Sequence, residues 1–383
     1  MASFAPNFAY DPSTSEFQDA IWDVYRIMRD EHPVYSDPGG GFFALSRFED
    51  VSEAARDWET FSSVVPEANS LLPQMIFMDP PRHTSLRRLV SRAFTPRRVS
   101  LVEPFVRETT RELTARVAER GICEVQHEFA AVVPSLVIAK MIGVPSEHIG
   151  DFRAWTESFI EISDSSDYAE AAANIYGLFA ELLAQRRRAP ADDLMTALLD
   201  AEVDGQRLSD EELLGFCLLL ILAGNDTTSS LIGSGIALLA RDADQRSLLL
   251  ADPSLWPNAV EELNRVESPT QALSRTATRD VTLHGVTIPA GSRVMLLWGA
   301  ANHDEREFLD PERFDITRQF SRHLAFSHGI HFCLGANLAR IEARAALEEW
   351  HARFPDYELD GETVRARSIW ARAHSRIPVR VHP

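Results

Sequence analysis

The residues around Cys333 offer the clearest chemistry in the chain. Cys333 lies in the segment FSHGIHFCLG (326–335), between two glycines and directly before a stretch with a helical pattern. Glycines let the backbone approach a sulfur atom or a flat ligand closely, and the positive end of a helix favours a thiolate. A free cysteine is more often buried and inert, which suits Cys123 and Cys217. For Cys333 we predict a ligand or nucleophile, because the pattern F-x-x-G-x-x-x-C-x-G is complete.

A second polar group interrupts an apolar segment that predicts a long helix from Ser209 to Ala240. Ser209 and Glu212 form a capping box at its start, and its length would be about 47 Å. In its middle stands the sequence AGNDTT (223–228). The Thr227 hydroxyl lies four residues after Ala223 and can compete for that residue's carbonyl, opening the helix locally. A threonine-rich kink in a buried helix would give the same pattern.

Several charged residues have spacings that place them in pairs on one helix face, a pattern that is ordinary on a solvated surface. Glu262 and Arg265 lie three residues apart on a predicted helix, and His83 and Arg87 lie four apart. Arg275 falls in a region of predicted short strands.

Together these motifs resemble the cytochrome P450 family, of the soluble bacterial type. The resemblance implies that Cys333 is the axial thiolate ligand of the iron of haem b, where thiolate donation favours O–O cleavage. It implies that Asp226 and Thr227 deliver protons to dioxygen through ordered water. It makes Glu262, Arg265 and Arg313 a buried structural network. The other haem-binding residues it implies are Phe326 and Gly335 of the signature and, at the propionates, His83, Arg87, Arg275 and His331.

Composition and patterning predict one domain over residues 1–383, mainly α with small β-sheets (α+β). The resemblance implies the P450 fold, with the long helix over the haem and the cysteine loop on its other face. A helix is predicted over 16–31, and a hairpin from Val34–Tyr35 and Phe42–Leu45. The three cysteines are too few for a disulfide framework. The longest apolar run, Leu213–Gly224, is shorter than the roughly 20 residues of a membrane span. With no visible signal peptide, we expect a cytoplasmic monomer.

The net charge and its distribution along the chain indicate which classes of partner the protein could bind. The chain has 38 basic and 57 acidic residues and a net charge of −19, which argues against nucleic-acid binding. Residues 82–98 nevertheless contain six arginines and no acidic residue. In the fold that the resemblance implies, such a surface lies near the cysteine and suits an acidic electron carrier of the ferredoxin type. The arginines assigned to this docking surface are Arg87, Arg88, Arg92, Arg97 and Arg98.

The predicted activity is that of a haem-thiolate monooxygenase. It would use O₂ and two electrons from NAD(P)H, through ferredoxin reductase and ferredoxin, to hydroxylate a lipophilic terpenoid, steroid, fatty acid or macrolide-like molecule. The alternatives are a peroxide-driven peroxygenase, which needs no proton-delivery pair, and a haem-binding sensor, which would need an output module. The predicted walls of the substrate pocket are Leu72, Met75, Phe77, Leu220, Ala223, Gly224, Ala272, Leu273 and Trp370.

Overall fold

The computed structural model describes residues 10–65, 73–160, 165–319, 322–368 and 370–382, without the side chains of 157–169. Its contacts divide the chain into two compact units. The first unit comprises Met1–Val64, Glu261–Cys333 and Arg365–Ala373, and the second comprises Val65–Val260, Leu334–Val364 and His374–Pro383. The chain passes between the units several times, and the single domain over 1–383 stays a prediction.

Helices predominate in the described ranges, with small sheets beside them, which confirms the predicted class. The helices are α1 Ser15–Asp19, α2 Ile21–Glu31, α3 Phe48–Arg56, α4 Arg82–Ala93, α5 Pro96–Ser100, α6 Glu103–Arg120, α7 Val132–Ile142, α8 Ile149–Ile160, α9 Ser165–Arg188, α10 Leu194–Asp200, α11 Asp210–Arg241, α12 Ala243–Ala251, α13 Trp256–Glu267, α14 Trp298–Ala301 and α15 Ala336–Arg353. The strands are β1 Val34–Ser36, β2 Phe43–Leu45, β3 Phe61–Ser62, β4 Ile122–Glu124, β5 Leu273–Ala277, β6 Val281–Leu283, β7 Val286–Ile288, β8 Arg293–Leu296, β9 Asp356–Leu359, β10 Val364–Arg365, β11 His374–Arg376 and β12 Pro378–His382.

The first unit is built on a five-stranded sheet in the order β1-β2-β8-β5-β3. Strands β1 and β2 pair antiparallel, as the predicted hairpin requires, and β2 runs parallel to β8. Phe48, Val51 and Ala55 of α3 join Trp298 and Leu324 in one apolar core. This core holds α3 firmly in the unit.

The second unit is organised around α11. The predicted capping box is present: the Ser209 hydroxyl accepts the Glu212 N–H, and the Glu212 carboxylate accepts the Ser209 N–H. Helix α11 packs against α7, α9 and α15. By length and composition it could span a membrane, a test that the buried core helix of a globular unit also passes.

The helix predicted over 16–31 is two helices in the structure. Helix α1 is closed at Ala20, which is also the residue before α2, so the apolar stripe continues across a break in the helix. Apolar periodicity reports which residues face the core and is insensitive to a one-residue interruption.

Candidate active site

The loop that carries Cys333 belongs to the first unit and is held by its own backbone. The Cys333 N–H donates to the Phe326 carbonyl at 2.9 Å, and Phe332 donates to Gly329 at 3.1 Å. Ser327 and Gly329 have φ angles of +61° and +71°, so the chain turns sharply on either side of the residue between them. Helix α15 begins three residues after the cysteine.

Cys333 is also the least buried of the three cysteines. It is half-buried, whereas Cys123 and Cys217 are buried. Burial raises the pKa of both those thiols to about 12, which keeps them protonated. Only Cys333 therefore combines access with a turn at a helix start, the two features that thiolate chemistry needs.

No cluster of three or more His, Cys, Asp or Glu side chains suited to a metal ion occurs in the part of the chain that the structure describes. A bare metal ion needs several protein ligands. Iron in a porphyrin already has four nitrogen ligands, so one thiolate from the protein suffices as the axial ligand. A single cysteine is therefore a donor set that fits haem.

The residues predicted at the propionates are divided between the units. In the first unit, Arg275 lies on β5, is 5 % exposed and donates to the Ser274 carbonyl at 2.8 Å. His331 ends the short 3₁₀ turn Gly329–His331 of the cysteine loop. In the second unit, His83 and Arg87 lie one turn apart on α4, as their spacing predicts.

His83 is enclosed although it carries a titratable ring. Its side chain is 2 % exposed. Burial, reinforced by the positive charge of Arg87 and opposed by Asp79, lowers the pKa of His83 to about 4. At neutral pH the imidazole is therefore uncharged, and one of its two ring nitrogens carries a hydrogen.

In α11 the polar group has the geometry predicted from its spacing. The Thr227 hydroxyl donates to the Ala223 carbonyl at 2.7 Å. The hydroxyls of Ser229 and Ser230 both donate to the Asp226 carbonyl, at 2.9 and 2.7 Å. Burial raises the pKa of the Asp226 carboxyl, so this side chain can hold a proton and release it.

The charged network of the first unit differs from the prediction in one member. Arg265 forms a two-pronged ion pair with Glu262, at 2.8 Å on each prong, and both side chains are fully buried. The Arg313 side chain, expected as the third member, is 66 % exposed, and only its backbone carbonyl accepts from Arg265, at 3.3 Å. Arg318 supplies the third guanidinium instead, with Nε 3.0 Å from Glu262. The E-x-x-R spacing identifies the helical pair, but no local pattern indicates a partner 56 residues away.

The predicted substrate residues are also divided. Met75 and Phe77 lie on a 3₁₀ turn of the second unit, Met75–Phe77. Met75 lines a small crevice with Leu86 of α4 and Phe216 of α11. Three further residues of the predicted set, Leu220, Ala223 and Gly224, lie on α11, where Ala223 is exposed and a Cβ at Gly224 would lie 3.1 Å from Ile138.

In the first unit, the carbonyl of Trp370 accepts from the Gln271 N–H at 2.7 Å, which places Trp370 beside the chain leading to Leu273. Trp370 is 38 % exposed. Ala272 differs from the prediction, because its side chain has no exposed surface and belongs to an apolar core with Tyr25 and Leu297. Leu72 lies outside the described residues.

The arginine segment 82–98 carries less free charge than its sequence suggests. Arg82 forms an ion pair with Glu212, Arg88 with Asp204 at 2.8 Å and Arg98 with Asp192 at 3.5 Å. Arg92 donates to the Glu202 carbonyl at 2.7 Å. Within the described ranges, Arg92 and Arg97 have no acidic side chain at ion-pair distance, so they hold most of the unneutralised charge.

Comparisons with known proteins agree with this arrangement of motifs. The family model for cytochrome P450 matches residues 138–247 and 250–355. Cytochrome P450 130 of Mycobacterium tuberculosis is 40 % identical over 392 residues, covering 96 % of this chain and 97 % of that protein. Vitamin D(3) 25-hydroxylase of Pseudonocardia autotrophica is 40 % identical over 390 residues, covering 96 % of each.

A solved structure gives the same result for the fold. The crystal structure of CYP109E1 from Bacillus megaterium in complex with testosterone is 33 % identical, with a TM-score of 0.90 over 94 % of this chain and 99 % of that one. The residues matched by the family model include the cysteine loop, α11 and the Glu262–Arg265 pair. The chain therefore belongs to the cytochrome P450 family and is a P450 monooxygenase.

Proposed function

We propose that the chain hydroxylates a lipophilic small molecule, with Cys333 as the thiolate ligand of haem b and with electrons from NAD(P)H through ferredoxin reductase and a ferredoxin. The observation that carries this proposal is the state of Cys333: a half-buried thiol in a sharply turned loop before a helix, beside two other cysteines that are buried.

The residues present suit haem b. One accessible sulfur matches the single axial ligand that a porphyrin iron needs from the protein. Two arginines and two histidines, Arg87, Arg275, His83 and His331, are the donors we assign to the two propionates. When bound, the haem supplies the activation of O₂. Phe326 and Gly335 complete the loop that would lie against the ring.

Asp226 and Thr227 are the residues we assign to proton delivery. A carboxyl whose pKa burial raises can pick up a proton from solvent and pass it on. Thr227 holds its hydroxyl on the Ala223 carbonyl, so its oxygen is fixed in the helix and can order a water molecule at this point. This pair favours a reaction that consumes protons and electrons over one driven by peroxide.

For electron delivery we propose docking of an acidic carrier on the arginine surface, chiefly through Arg92 and Arg97. The double variant Arg92→Glu/Arg97→Glu should slow reduction by a ferredoxin at low salt by about tenfold or more. A matched control is Arg376→Glu, which reverses one exposed charge elsewhere. Unchanged reduction kinetics in the double variant would contradict docking at this surface.

For the substrate we propose the steroid class among the four lipophilic classes considered. One relative is named for vitamin D(3) hydroxylation and one was solved with testosterone. The proposed walls that are accessible in the structure are apolar, as in Ala223 and Trp370. Titrating the ferric protein with testosterone, vitamin D3, palmitic acid and a macrolide should give a spin-state shift at the lowest concentration with the first two.

The electron route is tested by measuring product formation. Purified protein with a bound substrate is supplied either with ferredoxin, reductase and NADPH or with hydrogen peroxide. We expect product with the ferredoxin system and little product with hydrogen peroxide. Faster turnover with peroxide would support the peroxygenase, and the absence of product with both would support the sensor.

We further propose that the enzyme works as a cytoplasmic monomer with one domain.

A further inference from the structure

The cysteine loop of the first unit rests on α3, an element that none of the sequence motifs includes. The side chain of Ser52 is fully buried on α3, and its hydroxyl lies 2.9 Å from Nδ1 of His328. His328 stands between Ser327 and Gly329, the two residues with positive φ. The hydrogen bond therefore holds the loop at this turn.

A second contact joins the same two elements one residue further along. A Cβ at Gly329 would lie 2.6 Å from the Ala55 carbonyl oxygen and 3.0 Å from Cα of Arg56. Such distances leave room for no side chain, so the backbone of the loop touches the backbone of α3 directly. The close approach limits the movement of the loop along α3, and the Ser52–His328 bond limits its rotation.

Helix α3 is itself anchored at its start. The Phe48 N–H donates to the Asp304 carboxylate at 2.8 Å, and Asp304 is 1 % exposed. The Arg322 guanidinium lies 4.6 Å from the centre of the Phe48 ring and forms an ion pair with Glu49 at 3.1 Å. A helix fixed in this way is a rigid support for the loop it touches.

The His328 ring is kept neutral by its surroundings. Burial and the positive charges of Arg56 and Arg322 lower the pKa of His328, against the opposing effect of Glu49. A neutral imidazole has one acceptor nitrogen and one donor nitrogen, so Nδ1 can pair with the Ser52 hydroxyl in either tautomer.

We propose that Ser52 is a positioning residue for the thiolate: through His328 it fixes the turn from which the loop runs to Cys333. The path from this turn to the sulfur is short, because the Cys333 N–H closes the loop on the Phe326 carbonyl at 2.9 Å. The inference rests on the proposed haem ligation by Cys333.

The test measures how long the holoenzyme keeps its thiolate. The reduced, CO-bound protein is placed in mild urea, and the loss of its red-shifted Soret band to a band typical of a neutral ligand is followed in time. Ser52→Ala should speed this loss about three- to tenfold, as expected for one net hydrogen bond. Ser46→Ala is the matched control, since Ser46 is equally buried in the same unit and lies outside α3.

His328 provides an independent pair of variants, which keeps the test open if Ser52→Ala folds poorly. His328→Phe should behave as Ser52→Ala does, and the double variant should be no faster than either, because both changes break one bond. His328→Asn keeps a hydrogen-bonding atom near the Nδ1 position and should restore much of the wild-type rate.

The outcomes separate the two proposals. A wild-type protein without the red-shifted band would contradict ligation by Cys333. A normal wild-type band whose rate of loss is the same in Ser52→Ala as in Ser46→Ala, or additive effects in the double variant, would overturn the positioning role of Ser52 alone.

Discussion

At the level of single residues, the Thr227 hydroxyl can donate one hydrogen bond and accept another. Its hydroxyl donates to the Ala223 carbonyl at 2.7 Å, and the lone pairs left on the oxygen can accept from water. That carbonyl is also the normal acceptor of a backbone N–H one turn later in the helix. The threonine therefore weakens a backbone hydrogen bond of the helix beside the residues that we assign to proton delivery.

Replacing Thr227 by alanine should uncouple turnover. Product formation should fall by about 100-fold, the lower end of the contribution expected of positioned proton transfer, while NADPH consumption continues and releases peroxide. Product and peroxide are measured per NADPH consumed. Thr110→Ala removes the same kind of hydroxyl-to-carbonyl bond in α6 and should leave coupling at the wild-type level; equal coupling in both variants would remove Thr227 from the mechanism.

The charged network gives a second test at this scale. Arg318→Met should lower the free energy of unfolding by about 3 kcal/mol, because it removes one partner of a buried carboxylate. Arg313→Met should change it by less than about 0.5 kcal/mol, since that side chain is exposed. Urea unfolding of both variants measures the difference, and a larger loss for Arg313→Met would favour the network predicted from sequence.

At the scale of elements, α11 depends on its start. The capping box fixes the first turn, and the Glu212 carboxylate that completes it also forms an ion pair with Arg82 of α4. One side chain therefore ties the helix that carries Asp226 to the helix that carries His83, both within the second unit.

Removing the N-cap of α11 should lower the free energy of unfolding without changing the residues of the candidate active site. Ser209→Ala should lower the free energy of unfolding by about 1 kcal/mol, the usual value of an N-cap hydroxyl. Ser247→Ala removes an exposed helical hydroxyl in α12 and should have an effect below about 0.5 kcal/mol. Equal effects of the two changes on urea unfolding would contradict the importance of the box.

Elements with strong local signals could be predicted from sequence. The capping box and unbroken apolar pattern predicted α11 to within one residue at its C-terminal end, and the turn between β1 and β2 predicted the hairpin. Helix α3, by contrast, has no side-chain cap of its own and obtains it from Asp304, 256 residues away. Its contact with the cysteine loop is likewise a tertiary feature, which no spacing in the sequence encodes.

At the scale of the whole molecule, buried ionisable groups set the dependence of stability on pH. Burial raises the pKa of Glu342 from 4.5 to about 8. The unfolded chain loses this proton first as pH rises, so the contribution is complete below pH 4.5 and is lost as pH approaches 8. Burial lowers the pKa of His351 from 6.5 to about 4 and that of His303 to about 3. Their contribution is complete above pH 6.5 and is lost as pH falls toward those values.

Stability should therefore be greatest near pH 6.5. Between pH 6.5 and 8 the free energy of unfolding should fall by about 1–2 kcal/mol, as expected for one proton over this range. Glu342→Gln should remove most of that decline, whereas Glu362→Gln, at an exposed position, should keep it. Urea unfolding at several pH values measures both, and an unchanged decline in Glu342→Gln would contradict the assignment.

The sequence predicts local motifs of the whole chain but not the contacts between segments that are distant in sequence. The cysteine loop, the α11 motif and the His83–Arg87 pair are each short and local, so their spacing identifies them. Asp204 and Asp192, which neutralise Arg88 and Arg98, lie about one hundred residues away in the chain. The number of arginines in segment 82–98 therefore could not predict how much of its charge is neutralised.

Ligation of the haem iron by the Cys333 thiolate is best tested by the spectrum of the reduced, CO-bound protein. We expect the red-shifted Soret band of thiolate-ligated haem in the wild type. We expect loss of that band in Cys333→Ala and its retention in Cys217→Ala, which alters a buried cysteine. An unshifted, imidazole-type band in the wild-type protein would contradict the claim.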